Sequence, residues 1–535
     1  MQLDDWFLTA EERGNPASQI DGPAGAHVAW TDHNDVRRHI DGASYFASLA
    51  GAVESLGRGD EVHFTDWRGD GDELLTDEGV SLRELMSRAR RRDVTIRGLL
   101  WRSHSDRLAF SAKENRRFAE EVSTAGGQVL LDNRVRRGGS HHQKLVVLRH
   151  LASPEDDVAF VGGIDLSHGR RDDVRHGGDV QVIELDARYG PRPAWHDVQL
   201  EIRGPAIDQL DTTFRERWND PTPFTHVHRL RSWISRVSTT RTRDPRPHQI
   251  IAPDATPPTV ATLSVQVLRT YPVRRPHYPF APTGERSVAR AFAKAVQRAR
   301  SLIYIEDQYF WSVEIARILA AALRRRPELQ LVVVVPRFPD KDGRLSGPPS
   351  RLAQKRALDI VRAAGGARVG VYDVQNQAGR PIYVHAKVCV IDDVWATVGS
   401  DNLNRRSWTH DSELSCAVID SRRDERAPLD PGGLGDGART FARELRLSLW
   451  AEHLDRSADD PALVALAGST RLWKEAALRD AGADSTKRRD ASGSRVCMHH
   501  VDPVARGSRL WAEVVYRLVF DPDGRPWQLR LRRRF

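Results

Sequence analysis

The feature that most constrains this chain is that the same order of elements occurs in it twice. A helix-like stretch, YFASLAGAVESLGRGD (45–60), runs into a strand-like EVHFTDW (61–67), and SVARAFAKAVQRARS (287–301) runs into LIYIEDQYFW (302–311) in the same way. Each half continues through an arginine-rich amphipathic helix into an apolar strand, DVTIRGLLW (93–101) and LQLVVVVP (329–336). Each then has a helix that ends in Gly-Gly, at Gly126-Gly127 and Gly365-Gly366. Glycine there suits a left-handed C-cap that feeds a strand. Alternating helices and buried-looking strands predict an α/β fold, with one sandwich per half and a pseudo-twofold between them. Two unrelated Rossmann-like domains are the alternative.

What argues against that alternative is where the two histidines fall. Directly after the Gly-Gly units come GSHHQKLVVLR (139–149) and YVHAKVCVIDD (383–393). On a strand, residues i and i+2 face the same side, so His142 projects with Lys144 and His385 with Lys387. One half offers one imidazole and one ammonium; two halves face to face offer two of each to a common ligand. That set matches displacement at a phosphodiester. A neutral imidazole can attack phosphorus and form a phosphohistidine, a protonated one can serve the leaving oxygen, and ammonium groups stabilise charge on the non-bridging oxygens. The chemistry calls for no metal or other cofactor, and no Asp/Glu/His cluster has metal-ligand spacing in the sequence. The second copy also carries Asp392, then Gly399-Ser400-Asp401-Asn402, so that HxKxxxxD is followed by GSxN. A single HxK is common by chance; two at equivalent places in a repeat are not.

Length and composition set the limits. At 535 residues, two or more domains are expected. The boundaries read as 1–220 for the first half, 221–258 for a linker or surface excursion rich in Pro, Arg, Ser and Thr, and 259–480 for the second half. Residues 481–535 read as a small appended β element, because WAEVVYRLVF (511–520) is strand-like and DPDG (521–524) is a turn signal. A net charge of +8 favours anionic partners such as phosphate esters, nucleic acid or acidic headgroups. Cys389, Cys416 and Cys497 give neither a disulfide framework nor a zinc pattern, which points to a reducing compartment. The N-terminal stretch has no basic and apolar signal regions, and no apolar run approaches a bilayer span. The expectation is a cytoplasmic protein, at most peripheral on a membrane.

SHHQKLVV (140–147), FVGGIDLSHGRRDD (160–173), PAWHDVQLEIRGPA (193–206), FRERW (214–218), IYIEDQYF (303–310), YVHAKVCVIDD (383–393) and VGSDNLNRRSWTHDSELS (398–415) together resemble the phospholipase D superfamily, in the branch with eukaryotic-like motifs. The resemblance covers residues from about 30 to 450. It implies two phospholipase D-like domains and a ping-pong reaction, with His142 as nucleophile and His385 as acid and base. Lys144, Lys387 and Asn402 would bind phosphate, with Ser400, Gly163, Asp165 and Glu413 completing the substrate site. Asp165 is expected to turn its carboxylate away from the phosphate it would repel. Asp392 belongs to the implied catalytic motif, and the carboxylates orienting the histidines would be Asp197 for His385 and Asp411 for His142. One departure stands out. The first motif has Arg149 where an acid belongs, followed by HLASPEDD (150–157), so Asp156 or Asp157 would take over that role, or the role is dispensable, or the first half is altered.

The activity so implied is hydrolysis of a glycerophospholipid such as phosphatidylcholine at a membrane surface to phosphatidate and alcohol, or transfer to another alcohol. Cardiolipin synthase-like transfer is a close variant, although that class brings N-terminal membrane helices. A nuclease would use the same chemistry, but Phe and Tyr are not interleaved with Lys and Arg in a stacking stripe, so no obligatory nucleic acid is expected. A non-catalytic phosphate-binding descendant is the third class.

Overall fold

The computed structural model describes residues 1–21, 29–103, 112–222, 261–340, 343, 346–481, 494–532 and 535. The first half contributes β1 (Thr31–Ile40), β2 (Glu61–Asp66), β3 (Thr95–Trp101), β4 (Gln128–Asp132), β5 (Leu145–Arg149), β6 (Val158–Gly162), β7 (Ala194–His196) and β8 (Val198–Arg203). After it come β9 (Leu263–Tyr271), β10 (Glu285–Arg286), β11 (Leu302–Glu306), β12 (Gln330–Val334) and β13 (Val369–Asn376). The remainder are β14 (Ile382–Val384), β15 (Val388–Ile391), β16 (Trp395–Gly399), β17 (Glu413–Asp420) and β18 (Ser494–Met498). All but β7 and β14 lie in one sheet.

The sheet makes the duplication visible as topology. Outward from the antiparallel β1–β9 junction, the order is β8-β6-β5-β2-β3-β4 on one side and β17-β16-β15-β11-β12-β13 on the other. In the two wings β2-β3-β4 and β11-β12-β13 are parallel and the other pairings antiparallel, with β18 added antiparallel outside β13. Parallel interior strands are covered on both faces, which is why β12 is apolar after Gln330, with every residue buried. One face of the sheet shares a single core across both halves, running from Leu145, Phe214 and Trp218 to Val332, Trp450 and Trp473. On the opposite face each half keeps its own helical layer, around Phe46, Leu85 and Phe118 in the first and Phe292, Leu319 and Leu358 in the second.

Local rules account for the elements. Helix Leu82–Arg91 starts on Ser81, whose hydroxyl accepts from Glu84 N–H, and it buries Leu82, Leu85, Met86 and Ala89 on one face. Gly126 and Gly366, the Gly-Gly caps, take φ of +91° and +57°. The FRERW segment lies in helix Ala206–Asn219, where buried Arg217 bonds Asp132 (2.6 Å) and the Ser412 hydroxyl (2.9 Å), tying the first half to the loop that precedes β17.

Several expectations change. The first residues pack on the second half: Arg13 bonds the Val267 carbonyl (2.9 Å) and Glu285 (3.1 Å), and Phe7 joins the second-half core. Most of the proposed 221–258 linker lies outside the described residues. The appended piece contributes β18, which pairs antiparallel with β13, but the strand-like run after it is helical, as helix Arg509–Val515 and a wider π-type turn, Tyr516–Phe520. Strand propensity loses there because the segment packs on the flank of another helix: Ala512 lies against Leu352, and Tyr516 against Trp311 and Ala353. DPDG leads into a short helix, Trp527–Leu531, instead of a second strand.

Asp392 also changes role. Its carboxylate accepts from the backbone N–H groups of Arg300 (2.7 Å), Ser301 (2.8 Å) and Leu302 (2.8 Å), capping the start of β11 at the end of β15 remote from His385. It is an architectural residue. In the first wing Arg149 instead pairs with Asp157 (3.0 Å) and Asp208 (2.8 Å), while Asp157 accepts from His150 N–H (2.6 Å) and Asp60 from Leu151 N–H (3.0 Å). Asp156 sits in an exposed turn, so of the two candidates it is Asp157 that stands beside the end of β5. Because buried N–H groups left unpaired cost about 1–3 kcal/mol each, Asp392→Ala should lower unfolding stability by about 3 kcal/mol or more. Activity per folded molecule should hold. A urea melt beside an activity assay on the folded fraction checks this.

Candidate active site

The two HxK segments leave the ends of β14 and the loop before β5 and meet across the pseudo-twofold. β7 and β14 form a parallel pair between halves, with Ala194 opposite Ile382 and His196 opposite Val384. One residue further, His385 N–H donates to the His196 carbonyl at 2.8 Å. The mirror contact is His142 N–H to the Ser412 carbonyl at 2.9 Å.

The side chains repeat the pattern. His385 Nδ1 lies 2.6 Å from Asp197 Oδ2, and His142 Nδ1 lies 2.8 Å from Glu413 Oε2. Each imidazole is therefore held by a carboxylate from the other half, and among the described residues neither Nε2 has a hydrogen-bond partner. The expected partner of His142, Asp411, is engaged elsewhere: it accepts from Ser140 N–H (2.9 Å), the Ser140 hydroxyl (2.8 Å) and Arg406 Nε (2.7 Å). Aligning the two HD dipeptides misplaces the register. The equivalent acids are those at the start of a buried strand, Asp197 just before β8 and Glu413 as the first residue of β17, each followed by an apolar residue, Val198 or Leu414.

The lysines are also equivalent. Lys144 Nζ donates to the His142 carbonyl (3.2 Å), and Lys387 Nζ to the His385 carbonyl. Lys144 lies 3.2 Å from Asp165, and Lys387 donates to Gln308 Oε1 at 3.4 Å. Asp165 thus faces into the site instead of away. Burial alone would raise its pKa, but Lys144 and Arg170 overcome this and keep it ionised, while burial and the charge of Asp165 hold neighbouring Asp66 well above the usual carboxylate range. Arg170, 3.3 Å from Asp165 and stacked 4.0 Å over the Trp195 ring, is a site residue that sequence reasoning did not single out.

GGID (162–165) and GSDN (399–402) also superpose in role. A Cβ on Gly163 would come within 2.0 Å of Asp197 Oδ1, so this glycine makes room for the orienting carboxylate and is not itself a ligand group. Ser400 donates its hydroxyl to Glu413 Oε2 (2.6 Å), the same oxygen that His142 Nδ1 meets. Buried Asn402 takes the place of Asp165, and its Oδ1 has no partner among the described residues. Trp67 stands edge-on to His142 with ring centroids 6.3 Å apart, and Trp195 lies 4.8 Å from His385, so each imidazole has an aromatic wall.

Electrostatics keeps both imidazoles neutral in the free site. Burial, then Lys144 and Lys387, hold His142 well below the usual histidine range; burial, then Lys387 and Arg170, do the same to His385. Each ring feels the lysine of the other half, a mark of one shared site. Burial brings Lys387 down to about 8 against the attraction of Asp197.

Behind Asp197, four buried groups drawn from distant segments could hold a metal: Asp41, His176, His196 and Glu452 have donor atoms within 4.8 Å of one another. They pair with one another, although Asp41 Oδ2 has no partner among the described residues. His196 bonds Asp41 (3.1 Å) and Glu306 (2.9 Å), His176 bonds Glu452 (3.1 Å), and His453 bonds Glu306 (2.9 Å), so imidazoles and carboxylates alternate. This network joins the halves and anchors His196, whose carbonyl carries His385.

The family described as Phospholipase D matches residues 116–315, and that described as Cardiolipin synthase, PLD-like domain, matches residues 292–426. The chain belongs to the phospholipase D superfamily. Phospholipase D A of Dictyostelium discoideum is 26% identical over 492 residues, covering 79% of this chain and 36% of its own length. Phospholipase D gamma 3 of Arabidopsis thaliana is 26% identical over 491 residues, covering 68% and 54%. The chain therefore spans about a third to a half of these two relatives. A solved phosphatidylserine synthase of Haemophilus influenzae Rd KW20 aligns over 72% of this chain and 82% of its own at 13% identity, with a TM-score of 0.48.

Two outcomes follow. Glu413→Gln should lower kcat by about 10²-fold or more, because the amide cannot hold the His142 tautomer or stabilise its charge, whereas Asp411→Asn should act mainly on stability; kcat and melting temperature for both variants separate the effects. Lys387 is cationic below about 8 and neutral above it, so kcat/KM should fall on the alkaline side with an apparent pKa near 8. A pH profile of kcat/KM checks this, and Lys387→Arg should move that limb upward.

Proposed function

We propose that the chain is a phospholipase D-type phosphodiesterase that cleaves glycerophospholipids such as phosphatidylcholine to phosphatidate and a free alcohol through a phosphohistidine. One observation carries the reading: two imidazoles, each fixed at Nδ1 by a carboxylate of the opposite half and open at Nε2, flank a pair of lysines. The lipid substrate is supported by the relatives named phospholipase D.

In this scheme the phosphodiester anion lies between Lys144 and Lys387. Its charge offsets the repulsion that keeps the rings neutral, so His385 takes up a proton while His142, already neutral, keeps its Nε2 lone pair. His142 Nε2 bonds to phosphorus as the bond to the alcohol oxygen breaks, and that oxygen takes the His385 proton. Water then gives a proton to His385 and its oxygen attacks phosphorus, breaking the N–P bond and releasing phosphatidate. An alcohol in place of water gives transfer instead of hydrolysis. Lys144, Lys387 and Asn402 bind the non-bridging oxygens throughout, and Asp197 and Glu413 stabilise the imidazolium forms.

Phosphatidylcholine vesicles should release choline in the presence of the protein, and a labelled phosphoenzyme should be trapped on His142 in reactions quenched with denaturant at alkaline pH, where the N–P bond persists. His142→Ala should abolish both, with kcat reduced by about 10⁴-fold or more. Cleavage of DNA with vesicles left intact would overturn the lipid reading, and turnover undiminished in His142→Ala would overturn the mechanism.

A further inference from the structure

The segment that was expected to be β and is helical presents an apolar face that nothing among the described residues covers. Among the described residues, thirteen large hydrophobic side chains are exposed, and six of them fall between residues 510 and 531. Leu510, Val514 and Leu518 recur at helical spacing on one side of the helix and π-type turn, with Leu510 85% and Leu518 72% exposed. The other side of the same helix, Ala512 and Tyr516, is buried against the body. Trp527 (68%) and Leu531 (75%) extend the exposed set on the short helix that follows. A patch of this kind on a globular surface marks an interaction site.

Position and charge identify the partner. The turn between these helices is clipped to both loops that approach His142. Arg136 donates to the Gly524 carbonyl (2.8 Å), Gly524 N–H to Thr409 (2.9 Å), Arg406 N–H to Asp521 (2.7 Å) and Arg406 Nη1 to the Val519 carbonyl (3.0 Å). Residues 136–139 lead to Ser140 and His142, and residues 405–411 lead to Glu413. Beside the apolar row lies a groove of about 480 Å³ lined by Arg136, Arg137, Arg405, Arg517 and Arg530 against a single carboxylate, Asp523. Arg506, Arg509 and Arg532 are also exposed on this segment. An apolar row flanked by arginines, with an exposed tryptophan, is what lies flat in the headgroup region of an anionic bilayer.

We infer that residues 509–532 form an interfacial docking surface for bilayers that carry anionic lipid, seating the rim of the His142 site on the membrane. The inference deepens the lipid reading above and rests on it for its purpose, but it has its own measurement. The row Leu510, Val514, Leu518 and Trp527 enters the acyl boundary, and the arginines of the groove meet the anionic headgroups. A second copy of the chain offers no excess of negative charge to meet these arginines, since the chain itself is net +8.

The test is co-sedimentation of the full chain with phosphatidylcholine vesicles, with and without about a third phosphatidylglycerol. The parent should bind the anionic vesicles, and Leu510→Glu/Leu518→Glu should weaken that binding by about tenfold or more. Trp527→Ala should weaken it by a smaller factor. Thermal midpoint and turnover of monomeric short-chain phosphatidylcholine should be unchanged in these variants, whereas turnover of vesicle lipid should fall. Parent protein that ignores anionic vesicles, or folded variants that bind them like the parent, overturns the inference. So does a parent dimer that the double variant converts to monomer, because a second copy then covers the face. Binding without turnover of any lipid leaves docking intact and removes the phospholipase reading; turnover of monomeric lipid without binding does the reverse.

Discussion

The site depends on an exchange across the pseudo-twofold: each imidazole is oriented by the other half's carboxylate, His142 by Glu413 and His385 by Asp197. The backbone repeats the exchange, His142 to Ser412 and His385 to His196. Neither half supplies both an imidazole of this pair and the carboxylate that holds it. Much else serves to keep that crossing in register, including the β1–β9 junction, the shared core on one face and the parallel β7–β14 pair. Arg217, reaching from helix Ala206–Asn219 to Ser412, and the alternating imidazole–carboxylate network around His196 fix the two crossing strands from behind.

The charge distribution follows from the same crossing. Two lysines and Arg170 converge on a buried space with Asp165 as the facing ionised carboxylate, which leaves the free site electropositive and its rings neutral. In the proposed reaction an anionic diester supplies the missing negative charge, so that recognition and protonation are coupled: binding the ligand is what would allow one ring to become an acid. The aromatic walls, Trp67 and Trp195, stand against the two rings.

Departures from strict symmetry separate architecture from chemistry. Asp392 caps three N–H groups at the start of β11, whereas the corresponding end of β5 carries Arg149 and uses Asp157 and Asp60 differently. The two wings reach the same strand order with different local bonds, so the acid at the end of the motif serves the strand and not the phosphate. Asp165 opposite Asn402 is an asymmetry at the site itself, and it pairs one half's lysine with a carboxylate while the other half's lysine meets Gln308.

The duplication, the α/β character and the two HxK pairs were legible in the sequence because they rest on local periodicity: two-residue alternation on strands, apolar helix faces and glycine at helix ends. Glu413 was legible in principle, as the acid that opens a buried strand, but the repeated HD dipeptide gave a competing register that only strand pairing resolves. The network of Asp41, His176, His196, Glu306, Glu452 and His453 was invisible, since its members are separated by long stretches of chain and nothing in their spacing relates them. The helical state of residues 509–520 was likewise decided by tertiary structure. Val, Tyr and Phe favour a strand locally, but Ala512 and Tyr516 find their burial against a helix flank, and packing outweighs an intrinsic preference of about 1 kcal/mol.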